Sequence, residues 1–135
     1  MRHFFEEMNK GKAAAMAVID ELYDASIVLH CPHGKDIHGL KDFKQANDES
    51  FNEIPDAHST IDDMIVEGNK VAVRLTMTGT ITGKMGDTGS TNKKVTISQI
   101  IIDRIAGGKF VEEWVRYDTY GFMQQLDLVP KQGQD

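Results

Sequence analysis

Apolar positions recur every three to four residues in the first half of the chain and every second residue in most of the second half. Phe4 and Met8, one turn apart, predict a helix that stops at Gly11. Ala15, Ile19, Leu22 and Tyr23 share a stripe and predict a second helix over 13–23. SIVLHC, 26–31, reads as a strand, followed by the turn residues Pro32-His33-Gly34-Lys35 and a short return over 36–38. A third helix is expected over 39–54, burying Leu40, Phe43, Phe51 and Ile54, with Pro55 beyond its end. Asn47 falls on that stripe, as a pocket-facing amide or an exposed edge position.

From His58 onward the chain alternates. STIDDMIVEG predicts one strand and the stretch 69–83 the next, joined by a Glu67-Gly68-Asn69 hairpin turn. Val71, Val73, Leu75, Met77 and Ile81 share one face; Ala72, Arg74, Thr76, Thr78, Thr80 and Thr82 share the other. The threonine-rich face suits either a sheet-to-sheet contact with a second copy or solvent. KMGDTGSTNK, 84–93, is a turn-rich loop. The stretch 95–126 reads as two long strands joined at Gly107-Gly108 and running into a short helix. Helices first and hairpin-linked strands afterwards predict an α+β domain with an antiparallel sheet, three helices in its first half and a short C-terminal helix.

The 135 residues fit a single domain over 1–130 with a tail over 131–135. A formal net charge of -6, with no basic run, argues against nucleic acid or an anionic membrane as partner. The apolar run over 13–19 is far short of the ~20 residues of a membrane span. Glu6 and Glu7 come too early for a signal peptide, and the single Cys31 has no disulfide partner within the chain. These features predict a cytoplasmic protein.

Phosphate-binding Gly-rich loops, GxSxG elbows and HExxH helices are missing from the sequence. His30, Cys31 and His33 do not form a metal-binding pattern, and no metal site is expected. Carboxylate chemistry remains. Counting by two, Phe110, Glu112, Trp114, Arg116 and Asp118 lie on one face, and Val111, Glu113, Val115 and Tyr117 on the other. With Phe110 and Trp114 taken as inward, Glu112, Arg116 and Asp118 are expected in a pocket beside the only tryptophan. A carboxyl buried there would have its charged form disfavoured, which suits acid-base work. On the preceding strand, Val95, Ile97, Gln99, Ile101 and Asp103 compete with Ile100 and Ile102 for the inward face, and a bulge could switch it. The structural alternatives are that Asp118 caps the last helix and that Glu112 and Arg116 form an ordinary ion pair.

RHFFEEMNKGK, IHGLKDFKQ, TIDDMIVEGNKVAVRLTMTGTITG and KKVTISQIIIDRIAGGKFVEEWVRYDTYGFMQQLDLVP together resemble the SnoaL-like polyketide cyclases and ester cyclases of the nuclear-transport-factor-2-like superfamily. The resemblance covers nearly the whole chain and implies a strongly curved antiparallel sheet packed around the three helices as a cone, with a conical pocket. It also implies ring closure by intramolecular aldol condensation without metal or organic cofactor, an aspartate acid-base at the position of Asp118, and a small hydrophobic ligand. The family's GTHTG segment reads GTITG here, so Ile81 stands in place of a pocket histidine. Expected pocket walls are Trp114, Glu112, Arg116, Gln99, Ile81, Leu75, Met77 and Phe43. His30 is a second polar candidate for catalysis, or a structural histidine. Two alternatives are a non-catalytic ligand-binding or dimerisation module, pairing through the convex sheet face, and an epoxide hydrolase-like site drawn from Asp103, Arg116 and Asp118.

Overall fold

The computed structural model describes residues 1–82 and 92–126. The loop expected over 84–93, except its last two residues, and the tail over 131–135 lie outside them. Helices α1 (Arg2–Met8) and α2 (Lys12–Leu22) lead into strand β1 (Tyr23–His30), then β2 (Ile37–His38) and helix α3 (Leu40–Glu53). Four elements of the hairpin region follow: β3 (His58–Glu67), β4 (Lys70–Ile81), β5 (Lys93–Ala106) and β6 (Lys109–Tyr117). Helix α4 (Thr119–Gln125) ends the described chain. Among the described residues no helix is long and apolar enough to cross a membrane.

The strands form one sheet in the order β2-β1-β6-β5-β4-β3. Hairpins make its antiparallel pairs, as expected for an α+β domain. The exception is β1 against β6, which run parallel. Everything from β2 to β5 lies between those two strands, more than enough chain for the crossover that a parallel pair requires. Tyr23, expected at the end of the second helical stripe, instead begins β1, where its ring is fully buried.

The alternation in β4 decides the sheet's orientation. Val71, Val73, Leu75 and Ile81 are buried beneath the helices, and Arg74 and Thr78 face outward. The antiparallel register carries this facing to β5, so Val95, Ile97, Ile101 and Asp103 turn inward and Ile100 and Ile102 outward. In β6 the register slips. Arg104 pairs with Glu112 but Ile105 pairs with Phe110, leaving Val111 as an extra residue. Phe110 is therefore inward together with Glu113, whereas Glu112, Trp114 and Arg116 take the outer, convex face. The expected facing of these last three is corrected by that bulge, because one inserted residue exchanges the two faces of a strand.

The main core is built on aromatic rings. Tyr23 lies with its centroid 5.4 Å from Phe4, 4.6 Å from Phe43 and 5.0 Å from Phe110, joining α1, α3 and β6. A second cluster of Ile54, Ile81, Val95, Ile97, Phe122 and Leu126 closes the far end under α4. At the edge of this cluster β4 passes so near the end of α3 that a Cβ on Gly79 would overlap Ile54 Cγ2. Gly79→Ala is therefore expected to lower unfolding stability by about 1–3 kcal/mol through overpacking. Urea denaturation measures it, and an unchanged midpoint would refute the close contact.

Candidate functional site

Between the helices and the inward face of the sheet lies a cavity of two lobes, each of about 270 Å³. Leu29, Ser50, Met77, Gln99 and Val115 line both lobes and make them continuous. Phe4, Phe5, Phe43 and Phe51 wall the inner lobe, and Tyr117, Pro32 and Phe122 the outer one. Helix α1 is tied to the sheet by Asn9, whose Nδ2 donates to the Ser59 carbonyl and whose Oδ1 accepts from Ser59 N–H, both at 2.8 Å. That clamp holds Phe4, Phe5 and Met8 over the inner lobe. The Asn47 amide also lines this lobe and donates to the Phe43 carbonyl at 2.9 Å.

Glu113 brings the charge into this apolar space. It lines the inner lobe, is 7 % exposed, and accepts a hydrogen bond from the Tyr23 hydroxyl at 3.0 Å. Its cross-strand partner is Asp103, which is fully buried. Burial raises the pKa of the Glu113 carboxyl, opposed by the hydrogen bonds from Asp103 and Tyr23. Burial, then the adjacent Glu113, holds Asp103 far above the usual carboxylate range. Tyr23 is likewise pushed up, first by burial and then by the charge of Glu113. A desolvated carboxylate with a fixed donor, facing an apolar cavity, is chemically equipped to take a proton from carbon.

Of the residues expected in the site, Phe43, Leu75, Met77 and Gln99 line the cavity. Ile81 does not: it is sealed within the second core cluster beneath α4. Glu112, Trp114 and Arg116 stand on the convex face because of the bulge. His30 joins them there. Its imidazole stacks on Trp114 at 5.1 Å and bridges Asp36 at 2.8 Å and Glu112 at 2.7 Å, with Arg104 Nε donating to the same Glu112 at 3.0 Å. Asp118 is the N-cap of α4, exposed, with Oδ1 accepting from Gly121 N–H at 2.9 Å; it does not line either lobe. Asp103, Arg116 and Asp118 are not brought together, since Asp103 is inside and the other two are exposed. Among the described residues no group of three or more His, Cys, Asp or Glu is placed to hold a metal ion.

Glu113, Asp103 and Tyr23 form the polar centre; sequence reasoning named Asp103 only with Arg116 and Asp118 and missed Glu113 and Tyr23. The signal available was the run Val111, Val115 and Tyr117 flanking Glu113, an apolar set that competes with Phe110 and Trp114 for the inward face.

Residues 1–126 match the family model of the SnoaL-like polyketide cyclases. No curated protein sequence matches the chain significantly. Among solved structures, TsrD from Streptomyces laurentii superposes with a TM-score of 0.82 at 23% identity, covering 96% of this chain and 92% of that one. IdmH from Streptomyces antibioticus gives 0.77 at 21% identity, covering 92% and 93%. A SnoaL-like polyketide cyclase from Agrobacterium tumefaciens gives 0.76 at 17% identity, covering 92% of each chain. At these identities the likeness is one of fold.

The cluster around His30 predicts a pH dependence. The hydrogen bond that the imidazole donates to Glu112, then the one it donates to Asp36, raises its pKa. A raised histidine contributes stability that is complete below its unfolded value of about 6.5 and is lost as pH rises through the folded value. The thermal midpoint of the wild type is expected to fall more steeply between about pH 6 and 8 than that of His30→Gln. Parallel curves would show that the cluster adds no such linkage.

Proposed function

The chain belongs to the SnoaL-like polyketide cyclase family, and we propose that it binds a hydrophobic carbonyl compound in the two-lobed cavity and acts on it by cofactor-independent acid-base chemistry. The observation carrying this reading is Glu113, the one acidic side chain lining the inner lobe among the described residues. Its carboxylate would take a proton from the carbon next to a carbonyl, and the electron pair would move onto the carbonyl oxygen as an enolate. The Gln99 amide, in the wall between the lobes, is the donor placed to stabilise that oxygen. The enolate carbon then attacks a second carbonyl of the same molecule, and the resulting alkoxide recovers the proton from Glu113. The acid-base role expected at Asp118 thus passes to Glu113, because Asp118 is engaged in capping α4.

A non-catalytic ligand-binding module is the second reading. It is favoured by the mostly apolar lining of the inner lobe and by Ile81, which fills core where the family pattern has a histidine. The two readings separate in an exchange experiment. Hydrophobic β-diketones in D₂O, followed by proton NMR, should exchange their α-protons faster with the wild type, and Glu113→Gln should remove about 10²–10⁴-fold of that acceleration. Asp118→Asn, which preserves the cap, should leave it intact. Binding without accelerated exchange would sink the catalytic reading and leave the module.

We also propose a homodimer through the convex face. Ile65, Ala72, Ile102 and Trp114 are successive cross-strand partners there, and Ile65 is 62% and Ile100 51% exposed. Such a stripe across an open sheet suits a second copy of itself. Sedimentation velocity should give a dimer for the wild type and a monomer for Ile102→Glu; a monomeric wild type would contradict this.

A further inference from the structure

We propose that Asp103 and Glu113 form a two-carboxyl unit that holds one proton between them, with Asp103 carrying the proton as a positioning residue and Glu113 presented to the cavity as the carboxylate. The pairing itself stands on geometry. The two residues are direct partners across β5 and β6, on the inward face, with 0% and 7% exposure. Two carboxylates confined side by side with little solvent cannot both ionise, because like-charge repulsion adds to the cost of desolvating each.

Hydrogen bonding decides which of the two keeps the proton. Glu113 has a donor, the Tyr23 hydroxyl. The oxygens of Asp103 have none among the described residues if both groups are taken as carboxylates. Two buried acceptors without a donor are costly. A proton on Asp103 removes that defect at once, since the acid O–H then donates to Glu113. The carboxylate of Glu113 thereby accepts from two sides, Tyr23 and Asp103, and its orientation toward the inner lobe is fixed.

The charged groups acting on the pair come from three elements. Tyr23 on β1 faces Glu113, and the charge of Glu113 on β6 faces Asp103. The amino group of Met1, ahead of α1, favours an ionised Asp103, but burial and Glu113 outweigh it. Phe4, Phe43 and Phe110 surround the Tyr23 ring, so the phenol cannot swing away from its partner without opening the core.

This inference deepens the proposed function in one respect. If Glu113 is the base, Asp103 sets the strength of that base: a neutral donor hydrogen-bonded to a carboxylate favours its charged form, whereas an ionised neighbour would disfavour it. The protonated pair itself does not depend on the catalytic reading.

Carboxyl carbon-13 NMR on protein labelled at the aspartate and glutamate side-chain carboxyls separates the two claims. In the wild type one aspartate carboxyl should remain at its protonated shift at neutral pH, and its signal should be missing from Asp103→Asn. It should persist in Glu113→Gln, where Asp103 is still buried. In Asp103→Leu, which supplies no donor, the Glu113 resonance should titrate at least about one pH unit higher than in Asp103→Asn, whose amide replaces the O–H. A wild-type spectrum in which all aspartates are ionised at neutral pH overturns the proposal without any variant being needed. Equal Glu113 titration in the Leu and Asn variants overturns the positioning role. If the proton is found on Asp103 while Glu113→Gln leaves diketone exchange unchanged, the carboxyl unit stands and the base assignment falls.

Discussion

One extra residue in β6 governs what this protein can do. The bulge at Val111 lets Phe110 keep its place in the aromatic core while exchanging the facing of everything after it. Glu113 is turned into the fold beside Asp103 and Tyr23, and Glu112 is turned out toward Arg104 and His30. Two adjacent glutamates acquire opposite environments from a single step in register. The inner one is a desolvated carboxylate in a closed pair; the outer one is an ordinary participant in a half-exposed network of charges. Without the bulge, strict alternation from Phe110 would turn Glu112 and Trp114 inward and Glu113 out to the convex face.

The cavity exists because the two core clusters do not meet. Tyr23 and its neighbouring rings fill one end of the space between helices and sheet, and Ile81, Phe122 and their partners fill the other. Met77 packs against both clusters, and the lobes open around it, Gln99 and Val115. A sheet whose strands bend at β1, β3 and β6 cannot be covered evenly by one layer of short helices. The unfilled volume is the geometric consequence of that mismatch, and the Asn9 clamp fixes its roof.

Much of this fold was legible in the sequence because β4 alternates cleanly over twelve residues and α3 carries a clear apolar stripe. The facing of β5 followed once its partner was fixed, since Ile100 and Ile102 matched no inward position of β4. The site was harder to read. Phe110 and Trp114 have the larger rings, and strict alternation makes them a pair, but size does not reveal an inserted residue. The bulge goes with packing across β5 and the Arg104–Glu112 pairing, cross-strand contacts that periodicity does not record. Asp118 was ambiguous for a different reason: Asp before Thr-Tyr-Gly is a good cap and a plausible acid, and only the Gly121 N–H at 2.9 Å distinguishes them. The Asp103–Glu113 pair, by contrast, runs against the expectation that buried charges are absent or paired with opposite sign.

The placement of Trp114 has an optical consequence. It is the protein's single tryptophan, and it lies on the outer face with the His30 ring stacked 5.1 Å away and the Lys70 ammonium 6.0 Å from its centroid. Its fluorescence is governed by those two neighbours and by whatever covers the convex sheet. The cavity, on the opposite side of β6, holds no indole. Emission from this protein is a gauge of its exterior, and a molecule could fill both lobes without altering it.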